Sequence, residues 1–190
     1  LVSDAGVLKR MDYSYIKASP GLVRLLSTSG TNASTVDISS TYITSTYDHY
    51  KIYFSGKAAT DNTGLQVQFS TNNGSSYVTS GYTFNVSDIG QGNQNATTSA
   101  SQLQFTNQAY LGNDTNEGFT GVFDVLNPNS TTIPTMMVSI MSGSDNGNTF
   151  FLQAGNGRVN DGTQAHNSLK FFQSSGNYAS YAIQVYGVLK

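Results

Sequence analysis

Apolar and polar side chains alternate along much of this chain. In Leu65-Gln66-Val67-Gln68-Phe69-Ser70 an apolar group stands at every second position, with amides and a hydroxyl between. Successive side chains of a strand point to opposite faces, so this spelling predicts a half-buried strand and no helix. The same period predicts further strands over 23–27, 35–38, 50–55, 82–86, 102–106, 119–126, 135–141, 149–154, 169–173 and 181–189. Turns rich in Gly, Asn, Ser and Asp separate them. Strands at this spacing predict an all-β fold, an antiparallel jelly-roll-like β-sandwich. Asn72-Asn73-Gly74 lies between 65–70 and 82–86 and predicts a hairpin, because Asn and Gly accept positive φ. The low-complexity stretch from Ser87 to Ser101 is expected to be a surface loop.

Two strands are apolar on both faces. Met136 to Met141 carries Met137 and Met141 on its second face, and Tyr181 to Leu189 carries Tyr186 and Val188. One face of each suits the core. The other suits either a neighbouring subunit or a covering loop.

Residues 1–20 lack this alternation and hold Lys9, Arg10 and Lys17. They are read as an irregular N-terminal arm or linker, with a short helical turn around Val7 to Met11. Pro20-Gly21 then opens a single β-sandwich domain over 21–190. Leu1 is not an initiator residue, so a longer parent chain is expected, a processed N-terminus being the alternative.

Composition narrows the function. Charged residues make up 11% of the chain, against roughly a quarter in ordinary soluble domains. Ser, Thr, Asn, Gln and Gly take their place, giving a neutral exterior suited to adhesion and packing. With 12 Tyr and 10 Phe the chain is too aromatic for a disordered segment. A net charge of −2 and no basic stripe argue against nucleic acid. No apolar run approaches the ~20 residues that cross a bilayer as a helix, so membrane insertion is not expected. Cys is absent, which removes disulfides, thiol nucleophiles and Cys-based metal sites. That fits a protein made in a cytoplasm that works outside it, as in a virus particle.

Chemistry is sparse. His49 and His166 are far apart, and no metalloprotease, nucleophile-elbow or phosphate-loop spelling occurs. Ser is so abundant that a Ser/His/Asp triple is expected by chance. Asp114, Asn116 and Glu117 fall in one short loop that offers oxygens to Ca²⁺, but it lacks the full calcium-loop spelling. Asp and Asn also dominate ordinary turns, and the turn reading is preferred, as for Asp145 and Asp161. No pair of carboxylates stands out for glycoside hydrolysis. No metal, cofactor or catalytic residue is therefore assigned, and an enzyme is not expected.

Tyrosine is the residue type best suited to a ligand, offering an apolar face to sugar C–H groups and a hydroxyl for hydrogen bonds. Tyr77, Tyr110 and Tyr178 fall in or beside predicted loops, where they either meet a ligand or cap the core. With Asn113, Asp114 and Glu117 they make the candidate binding set. Asn-x-Ser/Thr triplets at Asn32, Asn85, Asn95, Asn113 and Asn129 match the glycosylation spelling and are put down to composition.

Four segments carry a resemblance. Ala58 to Gly74 resembles a turn and strand of tailed-bacteriophage virion proteins, with Ala59 outside the usual Pro context and Asn-Asn-Gly in place of Asp-Gly-Gly. Tyr47-Asp48-His49-Tyr50-Lys51-Ile52-Tyr53-Phe54 is similar to a strand of the same proteins, and Val185 to Lys190 to their usual ending. Leu1 to Leu8 resembles the linker that precedes such a domain in phage fibres. The resemblance implies a terminal β-sandwich module on the exterior of the virion, commonly trimeric. The function it implies is that of a tail fibre or receptor-binding domain that attaches to a host surface glycan or protein and contacts other virion proteins. The alternatives are a capsid decoration protein and, ranked low, an envelope polysaccharide depolymerase.

Overall fold

The computed structural model describes residues 2–4, 7–9, 21–90, 92–107 and 110–189. Fourteen strands run in order: β1 (Val2–Asp4), β2 (Val7–Lys9), β3 (Leu22–Ala33), β4 (Thr35–Ile38), β5 (His49–Ala58), β6 (Leu65–Ser70), β7 (Tyr82–Asp88), β8 (Gln94–Ala100), β9 (Leu103–Gln104), β10 (Gly118–Leu126), β11 (Met136–Ser144), β12 (Phe150–Val159), β13 (Ser168–Gln173) and β14 (Tyr178–Val188). Every pairing is antiparallel. The eight-stranded sheet has the order β3-β14-β5-β10-β11-β12-β7-β8, and the four-stranded sheet the order β4-β13-β6-β9. Among the described residues, strands β1 and β2 pair only with each other.

Eight of these strands pair in a nested way. β3 pairs with β14, β4 with β13, β5 with β10 and β6 with β9. The chain between β3 and β14 therefore folds back on itself and is rolled into two layers. The β11–β12 hairpin and the β7–β8 hairpin widen the larger layer.

Alternation drives the layering. Tyr50, Ile52 and Phe54 of β5, and Phe119, Phe123 and Val125 of β10, point inward and are buried. Phe54 and Phe123 meet Phe171 of the opposite sheet with ring centroids 4.8 and 5.2 Å apart. Such tilted and edge-on pairs contribute about 0.5–1.5 kcal/mol each beyond the area they bury. Polar tips in the core find partners. The Tyr82 hydroxyl accepts the Phe69 amide at 2.8 Å, tying β7 to β6 across the two sheets. The Tyr50 hydroxyl donates to the Thr44 carbonyl and accepts the Thr44 amide, both at 2.7 Å, and so pins the loop before β5.

Several expectations are corrected. Asn72-Asn73-Gly74 is a turn, with φ of 63° at Asn73 and 82° at Gly74, but β6 and β7 do not form a hairpin. The chain crosses there from one sheet to the other. The segment 94–100, expected as loop, is edge strand β8, and 103–104 is shorter than expected. Strand β6 is buried on both faces rather than one. Its amide face is satisfied inside the fold, where Gln68 donates to the Ser101 carbonyl at 2.9 Å. Val7–Lys9 is a strand and no helical turn, and the rest of that expectation lies outside the described residues.

Candidate binding surfaces

The inward phase of each strand fixes what its other phase shows to solvent. On β11 the inward residues are Met137, Ser139 and Met141, so Val138 and Ile140 face out, 43% and 61% exposed. On β12 Phe151 is buried, so Phe150 and Leu152 face out. The ladder registers Tyr53 with Val122 and Val122 with Ile140, placing these three in one row across β5, β10 and β11. Val138 and Leu152 flank the row. Tyr53, Val122, Val138, Ile140 and Leu152 line a groove of about 480 Å³ along the outer face of the large sheet.

One end of this stripe is charged but self-compensated. Asp124 receives Lys51 Nζ at 2.7 Å and His49 Nε2 at 2.8 Å. Burial works to raise the Asp124 carboxyl, but hydrogen bonds from Lys51 and His49 outweigh it and hold the group below the ordinary carboxylate range. The Lys51–Asp124 pair adds no net charge to the face.

At the other end, where β10 begins and β11 stops, lies a larger groove of about 610 Å³. Ser55, Thr120 and Ser142 form a cross-strand row of hydroxyls on its floor, with Ser55 Oγ and Thr120 Oγ1 2.9 Å apart. Phe150, 81% exposed, stands on one side and Tyr181 on the other. The ladder of β14 against β5 slips between Tyr178 and Ser180, which re-aims the residues beside Tyr181. Glu117, on the loop before β10, completes the lining.

The predicted site residues divide. Tyr110, Asn113, Asp114 and Glu117 all belong to the loop between β9 and β10. Tyr110 packs edge-on against Phe151 at 5.7 Å. The Asn113 amide donates to Asp61 Oδ1 at 3.0 Å, and its side chain to the Ala59 carbonyl at 3.3 Å. Asp114 and Glu117 close a turn reciprocally. The Glu117 amide donates to the Asp114 carbonyl at 3.0 Å, and the Asp114 amide donates to Glu117 Oε2 at 2.6 Å. Glu117 is only 4% exposed, and its Oε1 has no hydrogen-bond partner among the described residues. Gly112 makes room for this carboxylate, since a Cβ there would meet Glu117 Oε2 at 2.1 Å. No group of three or more His, Cys, Asp or Glu able to hold a metal occurs among the described residues.

Tyr77 and Tyr178 lie elsewhere. Tyr77 sits by the four-stranded sheet, donating to Asp37 Oδ1 at 2.6 Å under Lys170 Nζ, which stands 4.2 Å from its ring centroid. Burial, with the Asp37 carboxylate beside it, pushes the Tyr77 hydroxyl pKa well up. Tyr178 opens β14 beside the 174–177 turn, but it has no exposed surface and is a core residue, which removes it from the candidate binding set. Phe150 and the hydroxyl row were not singled out from sequence. The signal was present in Phe150-Phe151, since neighbours in a strand face opposite ways and one of two rings must leave the core.

One constellation has the outline of a catalytic relay. His166 Nδ1 lies 2.8 Å from Thr135 Oγ1, and Nε2 lies 2.9 Å from Asp161 Oδ2. Thr135 and His166 are each 1% exposed, so no substrate reaches the hydroxyl. Burial lowers the His166 pKa against a weaker opposing pull from Asp161. A neutral ring that donates from Nε2 and accepts at Nδ1 satisfies both neighbours, and the trio braces the loops at that end of the sandwich.

Comparison of the chain with protein-family models, curated proteins and solved structures returned no match.

Proposed function

We propose that this chain is a self-assembling attachment module on the exterior of a tailed-phage particle, the receptor-binding end of a tail fibre, working as a homo-oligomer and most simply a trimer. The observation that carries the reading is the apolar row Tyr53, Val122 and Ile140, with Val138 and Leu152, on the outside of a sheet whose inner face already fills the core. Burying an aliphatic side chain is worth about 1.5–3 kcal/mol, and a lone sandwich forgoes this at each of these positions. A second copy is the fitting cover. The groove along this row has Lys51 and Asp124 as its charged side chains, and these two pair with each other, so identical copies of the row do not repel. Symmetry then repeats any weak receptor contact on each subunit, and the whole gains by multivalency.

The nested pairing of β3 with β14, β4 with β13, β5 with β10 and β6 with β9 supports reading the two layers as a jelly roll with an enlarged first sheet. That architecture is at home in capsid and lectin domains.

Sedimentation velocity of the purified chain tests the assembly. The expected mass is a small multiple of 20.3 kDa. Ile140→Lys is expected to give a monomer with an unchanged circular dichroism spectrum. A monomeric parent protein at tens of micromolar overturns the reading. Labelling the chain on imaged particles tests the location: tail-tip density supports the fibre, and regular positions on the head point to a capsid decoration protein instead.

A further inference from the structure

We propose that the Phe150 ring of one copy seats in the apolar trough of the next; this rests on the self-assembly reading above and names the side chain that fills the contact. The trough follows β10. Thr120, Val122 and Asp124 take the outward phase of that strand, and Val122 lies between the larger Tyr53 of β5 and Ile140 of β11 in one cross-strand row. A lower side chain between taller neighbours leaves the groove of about 480 Å³. Both ends are polar. Thr120 and Ser142 share the row on one side of Val122, and the paired Lys51 and Asp124 share the row on the other. The middle is apolar, so the trough suits one neutral group of limited length, with a polar rim around it.

Shape decides what enters. Two such troughs set face to face would enclose a void, and atoms that line a void forfeit their dispersion contacts. A convex apolar partner is needed instead. Phe150 is the most exposed large apolar side chain among the described residues, and it lies outside the lining of its own trough. It stands opposite Ser144, four residues along β11 from Ile140, about 13 Å at strand rise. Its own copy therefore does not fill the trough, and a neighbour displaced along the sheet brings the ring to it. Ile140 and Leu152 are not the filler, because both are part of the wall.

Nothing in the fold competes for the ring. Phe151 holds the inward phase of β12 and packs in the core, which turns Phe150 to solvent. Removing the Phe150 ring therefore leaves the core of its own copy intact. An aromatic anchor seated in a pocket that excludes water is the kind of side chain that dominates a protein contact. The Lys51–Asp124 pair is already compensated and presents no unpaired charge to an incoming ring.

The test uses the assembled chain. Replacing Phe150 with p-benzoylphenylalanine keeps an aromatic group there and, on irradiation, joins it covalently to whatever it touches. Joined copies are expected on a denaturing gel, with mass spectrometry placing the junction in β10 or β11. An oligomer that yields no joined copies overturns the inference, and so does a junction in the small-sheet strands β4 or β13. Phe150→Ser is expected to raise the concentration at which the assembly dissociates at least tenfold in sedimentation velocity, with an unchanged circular dichroism spectrum. Phe150→Leu is expected to keep most of the parent's assembly. An oligomer indifferent to Phe150→Ser sinks this seating and leaves the assembly reading standing. A monomeric parent sinks the assembly reading, and this contact with it.

Discussion

The two sheets share one core but show solvent opposite characters. The small sheet presents Asp37, Tyr77 and Lys170, which satisfy one another: Tyr77 donates to Asp37 and Lys170 lies over the Tyr77 and Phe172 rings. The large sheet presents Tyr53, Val138, Ile140, Phe150 and Leu152. Both outer faces belong to strands whose inner faces are equally apolar. The core therefore does not dictate an apolar exterior, and the small sheet is the proof within the same molecule. What the large sheet shows outside is surplus to folding and available for association.

This contrast can be broken most forcefully from within. Phe123→Ala removes a ring that packs against Phe54, Phe105 and Phe171, and is expected to cost about 3–5 kcal/mol in chemical denaturation. Outer-face changes such as Ile140→Lys are expected to alter assembly while leaving that denaturation midpoint near the parent's when measured under dissociating dilution. Equal losses at both positions would erase the distinction between core and surplus. Next in size is Gly143→Ala. A Cβ there would meet the Gly118 carbonyl oxygen at 2.1 Å and Phe119 Cα at 2.9 Å, both backbone, so the strands must part. A destabilisation of about 1–3 kcal/mol is expected, with loss of the large-sheet groove and an unchanged small sheet. Amide hydrogen exchange localised to β10 and β11 would show it.

Between pH 8 and 5 the pH dependence comes from the inner network rather than from either face. His166 is held neutral when folded, below its ordinary value of 6.5, while the unfolded chain titrates at that value. The unfolded state thus binds the extra proton first as pH falls. Stability is full above about pH 6.5 and declines below it towards the lowered folded value. Asp124 acts in a lower window, its contribution being present above the ordinary carboxylate value of 3.8 and lost as pH falls through its depressed one. Melting curves from pH 8 to 5 are expected to shift downward, and His166→Gln to flatten the slope in that range. Smallest is Tyr77→Phe, which forfeits a partly exposed hydrogen bond to Asp37 and is expected to cost about 0.5 kcal/mol or a little more.

Period-two patterning made much of the fold legible. Residues 65–70, 119–126 and 169–173 become strands with little or no change of bounds, because each carries large apolar groups on a definite phase. Strand β8 was hidden, since Gln94 to Ala100 closes the sheet with Ala, Thr and amides and needs no greasy phase. The Asn-Gly signal at 72–74 reported a local turn correctly. It carried no information on whether the next strand joins the same layer, which is decided by distant partners: β13 takes β6 and β12 takes β7. Burial of Gln66 and Gln68 was likewise invisible, because an amide tolerates the interior once bonded, as Gln68 is to Ser101. At the candidate site, the 112–118 turn could be read from its Asn, Asp and Gly. The hydroxyl row could not, because Ser55, Thr120 and Ser142 become neighbours only through strand register.

The last strand of the large sheet has a bearing on how the protein must be handled and how it evolved. Among the described residues, strand β8 ends the ladder with an unfilled row of amides and carbonyls, and none of its seven side chains is ionised. Like-charge repulsion, the usual guard against one molecule's border zipping onto another's, is missing. The task falls to shape. The pairing of β7 with β8 slips between Tyr82 and Phe84, and such a dislocation bends and overtwists the border so that a straight incoming strand finds poor alignment. Smoothing that kink by deleting one residue near Thr98 would hand the molecule a flat, neutral, Asn- and Thr-rich margin, the starting material of a fibril.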